Sequence, residues 1–447
     1  MRGESDTIAA LATAVSQGAI AIVRLSGGKS LPIALLVTRR ASLVPRQATL
    51  TYLFNDSGEP FDQAIVIFFE SPKSYTGEDI VEFQTHGGTL VASMLLDRLI
   101  ALGARAARAG EFTLRAVLNS KYDLTQAEAV LALTTAKSKR AAALLTRRLK
   151  GEMSRFVEEL RSELLALLAY CEASIDYAED LPPQSARAME ERLGRILALL
   201  RGTIASSNRR KGLIEGFEAA IIGKPNSGKS SLLNALLGQN RAIVSPNAGT
   251  TRDLIAEEAL IGGVNLRLID TAGLRESGDE IERIGVSYAI GAFKDADLII
   301  AVFDGSSVMD ENDRITLDLI GGAKERTIIA INKNDLPLLI DIDEFGQFET
   351  VSISAKNDIA PLLRALETRL SLEAASEEPL LVSARERAFA AQALSSCQIA
   401  DDRLKAGELE LFAIHINEAL LEIGSLTRRA EYGELLDTMF SEFCLGK

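Results

Sequence analysis

The stretch Gly223-Lys224-Pro225-Asn226-Ser227-Gly228-Lys229-Ser230 constrains this chain more than any other. It has the form G-x-x-x-x-G-K-[ST], follows the apolar run Ala219 to Ile222, and opens a segment whose Leu232, Leu233, Ala235 and Leu236 recur at helical spacing. A glycine-rich turn between strand and helix aims successive backbone N–H groups, and the positive end of the helix dipole, at a polyphosphate. On this reading Asn226, Ser227, Gly228, Lys229, Ser230 and Ser231 line the phosphates. Lys229 supplies a point charge for the β and γ oxygens, and the Ser230 hydroxyl suits Mg²⁺, which prefers oxygen ligands.

The segments after this loop alternate in the manner of a doubly wound sheet. A strand ending at Ile222 is followed by a helix over 229–237, a hairpin pivoting on Gly262-Gly263, and strands at Leu298 to Phe303, Thr327 to Ile331 and Val351 to Ile353. Loops at the carboxyl ends of such strands form the site. Asp270-Thr271-Ala272-Gly273 ends one of them: Asp270 is placed to hold the hydration shell of Mg²⁺, and Gly273 to offer its N–H to a γ-phosphate. Asn332-Lys333-Asn334-Asp335 ends the next, and a carboxylate at Asp335 accepts from guanine N1–H and its exocyclic amine. Adenine lacks that pair of donors, so a site built for it discriminates on the order of 10⁴ or more. Ser354-Ala355-Lys356 fits a backbone donor to guanine O6. The expected ligand is therefore GTP.

Two further segments bear on hydrolysis. In Ser245-Pro246-Asn247-Ala248-Gly249-Thr250-Thr251-Arg252-Asp253, Thr251 is the expected second Mg²⁺ ligand. Leu274 stands where many such enzymes carry a water-orienting glutamine, and leucine cannot orient water. The nearby carboxylates Glu276, Asp279, Glu280 and Glu282 are the alternatives, and Arg241 is the sole arginine between Gly238 and Thr251.

Composition bounds the remainder. With 447 residues the chain is too long for one core, so two to four domains are expected. A net charge of −13 argues against broad binding to nucleic acid, leaving room for a local RNA contact. The three scattered cysteines and two histidines indicate neither a disulfide framework nor a zinc site. No apolar run nears the ~18 residues of a membrane span, and no secretory leader is legible, so a cytosolic protein is expected.

Four segments are expected: 1–118, mixed α/β; 119–213, helical; 214–372, the nucleotide domain; and 373–447, helical again. Arg24, Glu82 and Lys121, each near the end of an element, read in isolation as surface charges. So do the basic clusters Lys137 to Lys150 and Arg209-Arg210-Lys211. Phe156, Leu160, Leu164 and Leu168 form one apolar stripe, Met189, Leu193, Ile196 and Leu200 another, and the tail presents Leu411, His415, Ala419 and Ile423. The tail is too short for a deep core of its own and is expected to pack against the helices of 119–213.

Taken together the motifs resemble the tRNA-modification GTPase family MnmE (TrmE). The resemblance rests on Gly-Glu-Phe-Thr at 110–113, Leu-Asn-Ser-Lys at 118–121, Asp-Leu-Thr-Gln-Ala-Glu-Ala at 123–129, the guanine motifs, and the terminal Phe-Cys-Leu-Gly-Lys at 443–447. It implies a multidomain fold, α/β plus all-α: an N-terminal α/β folate-binding domain that dimerises, and a discontinuous helical domain into which a Ras-like P-loop GTPase domain is inserted. It implies Arg24, Glu82, Lys121 and Lys447 as contacts to 5-formyl-tetrahydrofolate or a related tetrahydrofolate. It also implies K⁺ held by Asn226, Ser245, Asn247 and Thr250, with Glu282 as the catalytic glutamate. The implied activity is joint with the FAD-dependent partner MnmG (GidA), in a heterotetramer or larger. Together they add a carboxymethylaminomethyl-type group to C5 of the wobble uridine, position 34, of certain tRNAs. Cys444 reads either as a reactive thiol or as a small buried apolar residue. A ribosome-assembly or RNA-chaperone GTPase is the alternative class, but no G-x-x-G loop of a KH module occurs after residue 372. A membrane-remodelling scaffold has still less support, since no basic amphipathic helix is evident.

Overall fold

Strict alternation makes the amino-terminal strands one-sided. In β2 (Ile20–Ser26) the side chains of Ala21, Val23 and Leu25 are buried while Ile22 and Arg24 are half-buried on the opposite face. The computed structural model describes residues 6–176, 185–240, 256–270, 296–374, 379–428 and Gly446. The chain divides into two units, Met1–Leu131 with Leu149–Leu193 and Ser395–Lys447, and Ala132–Arg148 with Gly194–Leu394.

In the first unit, β1 (Ile8–Leu11), β2, β3 (Thr49–Phe54), β4 (Pro60–Phe69), β5 (Ile80–His86) and β6 (Arg105–Ala106) form a sheet in the order β3-β4-β5-β2-β1-β6. Neighbours are antiparallel except β1 and β6. Helices Ser30–Thr38 and Thr89–Ala101 cover one face, where Ile33, Val37, Leu95 and Leu99 pack on Val23, Leu25, Val66 and Phe83. Each such side chain contributes about 1.5–3 kcal/mol when fully buried. Among the described residues the other face is covered around Ile8, Ala10, Ala107 and Phe112, while Ile20, Leu50, Tyr52 and Ile65 are exposed.

The tail packs on an earlier helix, as expected: Leu409–Thr427 runs against Glu152–Asp176, and the Cys171 thiol donates to the Leu409 carbonyl at 3.3 Å. Its apolar stripe differs from the expected one. Phe412, Ile416, Ala419 and Ile423 are buried, whereas Leu411 is exposed and His415 faces Glu418 at 2.8 Å. Steps of four residues advance ~40° per step around a helix, so Leu411, His415, Ala419 and Ile423 drift off one face. Alternating steps of four and three hold it. Leu167 likewise takes the buried place expected for Leu168.

The second unit holds the doubly wound sheet. Its strands β7 (Phe217–Ile222), β8 (Ala256–Ile261), β9 (Val264–Asp270), β10 (Leu298–Asp304), β11 (Thr327–Asn332) and β12 (Glu349–Ser352) lie in the order β12-β11-β10-β7-β9-β8. All are parallel except β8, which pairs with β9 across a turn at Gly262 and Gly263, both at positive φ. Every residue of β11 is buried because both faces are covered. Lys229–Asn240 and Ala360–Ala374 contribute Leu232, Leu236, Leu362 and Leu366 to one side, and Glu311–Ile320 contributes Ile320 to the other. No helix among the described residues is long and apolar enough to cross a membrane.

Most of the two basic clusters is solvated as its charge suggests, Lys137, Lys139, Arg147, Lys150, Arg209 and Lys211 being exposed, but Arg148 and Arg210 depart from that reading. Arg148 is buried and donates to Glu386 and to the Leu380 carbonyl, while Arg210, 1% exposed, donates to the Pro379 carbonyl at 3.3 Å. Arg140 reaches Ser371 at 3.1 Å, and Lys137 pairs with Glu258. A buried cation is tolerated where a carboxylate and backbone carbonyls replace water, and residues 379–386 supply them. Glu386 also caps the helix Ala384–Lys405: its backbone N–H donates to Ser383 Oγ at 3.1 Å, and its carboxylate accepts from the Val382 N–H at 2.7 Å. Glu386→Ala should therefore cost about 3–5 kcal/mol, the penalty for leaving one partner of a buried pair uncompensated. An earlier urea transition by circular dichroism is expected, and a midpoint equal to the parent's would contradict the assignment.

Candidate functional site

The phosphate loop joins β7 to the helix that begins at Lys229, and its backbone takes a shape that few residues permit. Gly223 and Gly228 have φ of +147° and +98°. A Cβ on Gly223 would lie 2.3 Å from the Val302 carbonyl oxygen, and one on Gly228 would lie 2.1 Å from Asn332 Nδ2. Asn226 adopts the left-handed region at φ 61°, which asparagine tolerates better than most residues. Lys229 is buried, its ammonium donating to the Lys224 carbonyl at 2.8 Å. Among the described residues Ser227 Oγ is buried without a hydrogen-bond partner, an orphan polar atom of the kind a ligand oxygen satisfies. Ser230 and Ser231 are exposed at the first turn of the helix, where a hydroxyl can reach a cation beside the phosphates.

Asn332 joins the phosphate side to the base side. Its Nδ2 donates to the Ser227 carbonyl and its Oδ1 accepts from the Ala355 N–H, both at 2.8 Å. Ser354 Oγ donates to Asp335 Oδ1 at 2.7 Å, fixing the carboxylate that the sequence assigns to guanine. That bond, with the Asp335 N–H and the charges of Lys356 and Lys333, holds the Asp335 carboxyl below the usual carboxylate range. Asp335 and Lys356 are exposed, as residues that meet a ligand edge must be.

Two lysines brace the loops through three ion pairs, and these pairings were not legible in the sequence. Lys333, itself at φ 65°, donates to Asp304 Oδ2 at 2.5 Å. Burial raises the Asp304 carboxyl, but hydrogen bonds from Lys333 and Ser306 outweigh it and hold the group low. Lys224 donates to Asp310 and Asp313, the two carboxylates of a capping box at the start of Glu311–Ile320. The Asp-x-x-Asp spacing is visible in the sequence as a cap. Its lysine partner is remote along the chain and is not.

Ser245, Asn247, Ala248, Gly249, Thr250, Thr251, Thr271, Ala272, Gly273, Glu282, Cys444 and Lys447 lie outside the described residues. Asp270 is described in its backbone, as the last residue of β9 opposite Ile221 of β7.

In the amino-terminal sheet, Arg24 of β2 stands directly across from Glu82 of β5, and the guanidinium donates to Glu82 Oε1 through Nε at 2.9 Å. Its Nη1 donates to the Gly446 carbonyl at 3.2 Å, and its face lies 5.4 Å from the Tyr75 ring and 5.6 Å from that of Phe112. Gly446, at φ 93°, passes so close that a Cβ would be 2.4 Å from the Leu11 carbonyl oxygen. Lys121 meets the segment that carries Tyr75: its ammonium donates to the Pro72 carbonyl at 3.1 Å, and its neighbour Tyr122 packs edge-on to Tyr75 at 5.7 Å. Arg24, Glu82 and the residue before Lys447 are thus in contact, and Lys121 adjoins the Pro72 to Gly77 stretch that carries Tyr75. The surface-charge reading of Arg24 and Glu82 is replaced by a half-buried pair, 19% and 17% exposed. Cys171 and Cys397 are buried, and burial pushes their thiols up to about 11 and about 12, which makes both poor nucleophiles.

If Asp335 reads the guanine edge, Asp335→Asn should weaken GTP by about tenfold or more and admit xanthosine triphosphate, whose C2 carbonyl accepts from an amide. Calorimetry checks this, and unchanged GTP affinity would remove the assignment.

Two family models match the chain: the GTP-binding protein TrmE N-terminus over residues 7–121, and the MnmE helical domain over residues 124–444. Full-length relatives described as tRNA modification GTPase MnmE are similar throughout. That of Nitratiruptor is 48% identical over 446 residues, covering 99% of each chain. That of Wolinella succinogenes is 47% identical over 446 residues, covering 99% of this chain and 98% of its own. That of Aliarcobacter butzleri is 46% identical over 446 residues, covering 99% of this chain and all of its own. A crystal structure of Era in complex with MgGDPNP and a 16S ribosomal RNA fragment aligns at 30% identity over 40% of this chain and 66% of its own, with a TM-score of 0.28, too low to bear on the argument. Similarity over the full length, together with an amino-terminal α/β sheet, a helical domain and a P-loop sheet in one chain, shows that the protein belongs to the MnmE (TrmE) family of tRNA-modification GTPases.

Proposed function

We propose that this protein hydrolyses GTP and, in the cytoplasm with an FAD-dependent partner of the MnmG (GidA) type, installs a carboxymethylaminomethyl-type group on C5 of the wobble uridine of certain tRNAs. The observation that carries the GTPase reading is the tie that Asn332 makes between the phosphate loop at Ser227 and the Ala355 N–H, next to Ser354, whose hydroxyl fixes Asp335. The four segments 1–118, 119–213, 214–372 and 373–447 serve as folate-binding and dimerisation, helical, GTPase and second helical parts.

In this reading the N–H groups of the phosphate loop and the Lys229 ammonium bind the β and γ phosphates, and Ser230, Thr251 and, through water, Asp270 hold Mg²⁺. The Gly273 N–H meets the γ-phosphate, flanked by Thr271 and Ala272. Asn226, Ser245, Asn247 and Thr250 hold K⁺, with Ala248 and Gly249 shaping the loop between them. A cation there offsets charge developing on the transferred phosphoryl group, the role for which an arginine is worth about 10³–10⁵ in rate. Glu282 positions the attacking water, since Leu274 cannot. Support for the cation comes from Asn226, an exposed residue of the phosphate loop with a left-handed backbone, whose side-chain oxygen is a candidate ligand.

The amino-terminal pair Arg24 and Glu82, with Lys121 and Lys447, binds a tetrahydrofolate, the guanidinium and ammonium groups suiting carboxylates and Glu82 a pterin edge. The folate supplies the one-carbon unit when bound. A homodimer through the amino-terminal domain fits the exposed Ile20, Leu50, Tyr52 and Ile65 on its open sheet face.

Single-turnover hydrolysis should be orders of magnitude faster in K⁺ than in Na⁺, and Glu282→Ala should lower the rate with little change in GTP affinity. Equal rates in both salts, or a Glu282→Ala variant as fast as the parent, would overturn the mechanism. Arg24→Ala should lose binding of 5-formyl-tetrahydrofolate by calorimetry while retaining GTP binding. Retention of folate would remove Arg24 from that site.

A further inference from the structure

Within the phosphate loop one lysine does not behave as a phosphate ligand. Lys224 Nζ lies 2.9 Å from Asp310 Oδ2 and 2.7 Å from Asp313 Oδ2, and its side chain is 11% exposed. The carboxylates are themselves fixed, because each accepts from the other's backbone N–H at 3.1 Å at the start of Glu311–Ile320. Asp313 is 1% exposed and its Oδ1 has no hydrogen-bond partner among the described residues, so the Lys224 ammonium, bonded to Oδ2, compensates a buried charge. Burial lowers the Lys224 ammonium, but the bonds to Asp313 and Asp310 outweigh it and keep the group charged. The main chain of the same residue accepts from the Lys229 ammonium at 2.8 Å.

We infer that Lys224 is a positioning residue for the nucleotide: its side chain ties the outer turn of the phosphate loop to the helix start at Asp310 and Asp313, so that its own carbonyl places Lys229. The inference rests on the nucleotide reading above. An ammonium shared between two carboxylates leaves a cluster of net charge −1, which offers a polyanion no attraction. Lys224 therefore contributes through geometry. A direct phosphate contact and a positioning role make opposite forecasts for Asp313. Were Lys224 a phosphate ligand held back by the acids, Asp313→Asn would release it and remove a negative charge, tightening the nucleotide. As a strut, Lys224 loses its anchor in the same variant, and the nucleotide weakens.

The test is equilibrium binding of fluorescent GDP and GTP analogues to the full chain, for Lys224→Met, Asp313→Asn, the double variant and Lys224→Arg, each checked for folding by circular dichroism. Lys224→Met and Asp313→Asn should each weaken both nucleotides about tenfold, the order of one lost charge-assisted hydrogen bond. The double variant should lie close to either single one, because both changes cut the same tie. Lys224→Arg, which can reach both carboxylates, should restore binding to within about threefold. Parent-like or tighter binding by Asp313→Asn, or additive losses in the double variant, would overturn the inference while leaving the nucleotide reading intact. Failure of the parent itself to bind either nucleotide would overturn both.

Discussion

The side-chain amide of Asn332 is the interaction on which the nucleotide domain turns. It sits 2% exposed at the end of a fully buried strand, donating to the phosphate loop at Ser227 and accepting from the base-reading loop at Ala355. An amide carries a donor and an acceptor on one rigid plane, so it can bridge a carbonyl and an N–H at once. An aspartate in its place would keep the bond from Ala355 and set a carboxylate against the Ser227 carbonyl, while an alanine would leave both buried groups unpaired. The close approach is also why position 228 is glycine: any Cβ there would occupy the space of the amide nitrogen. One strand end thus holds the phosphate and base halves of the site in register, and the pairs Lys333 with Asp304 and Lys224 with Asp313 add charge-assisted ties around it.

The amino-terminal unit uses register in place of a motif. Arg24 and Glu82 are far apart in the chain, yet β2 and β5 pair so that the two stand opposite each other on one face. A shift of one residue in either strand would send its charged member into the apolar side, among Val23, Leu25 and Phe83, at a high desolvation cost. Hydrophobic packing of the covered face therefore fixes the polar pair of the open face. Gly446 itself lies against Arg24 and β1, an approach only a residue without a Cβ permits.

Charge was the least legible property. A run such as Lys137 to Lys150 reads as a solvated face because an unpaired buried cation is costly. Arg148 escapes that cost through Glu386 and the carbonyl of Leu380, residues on the far side of the nucleotide domain in sequence. No local pattern announces such a partner. The offset stripe of Leu409–Thr427 is a milder case, since Leu411 and Phe412 are equally apolar and only packing selects between their faces.

By itself the sequence determined whatever rests on local backbone chemistry. The phosphate loop, its strand and helix flanks, the Gly262-Gly263 hairpin and the carboxylate of Asp335 are each written in a few contiguous residues, because φ requirements, period and donor pattern are local. The tertiary structure alone decided which distant charges meet: Lys224 with Asp310 and Asp313, Lys333 with Asp304, Arg148 with Glu386, and Arg24 with both Glu82 and Gly446. The physical reason is that a charge can be buried only where a counter-charge or carbonyl is delivered by another element, and that delivery is a property of the assembled sheet and helices.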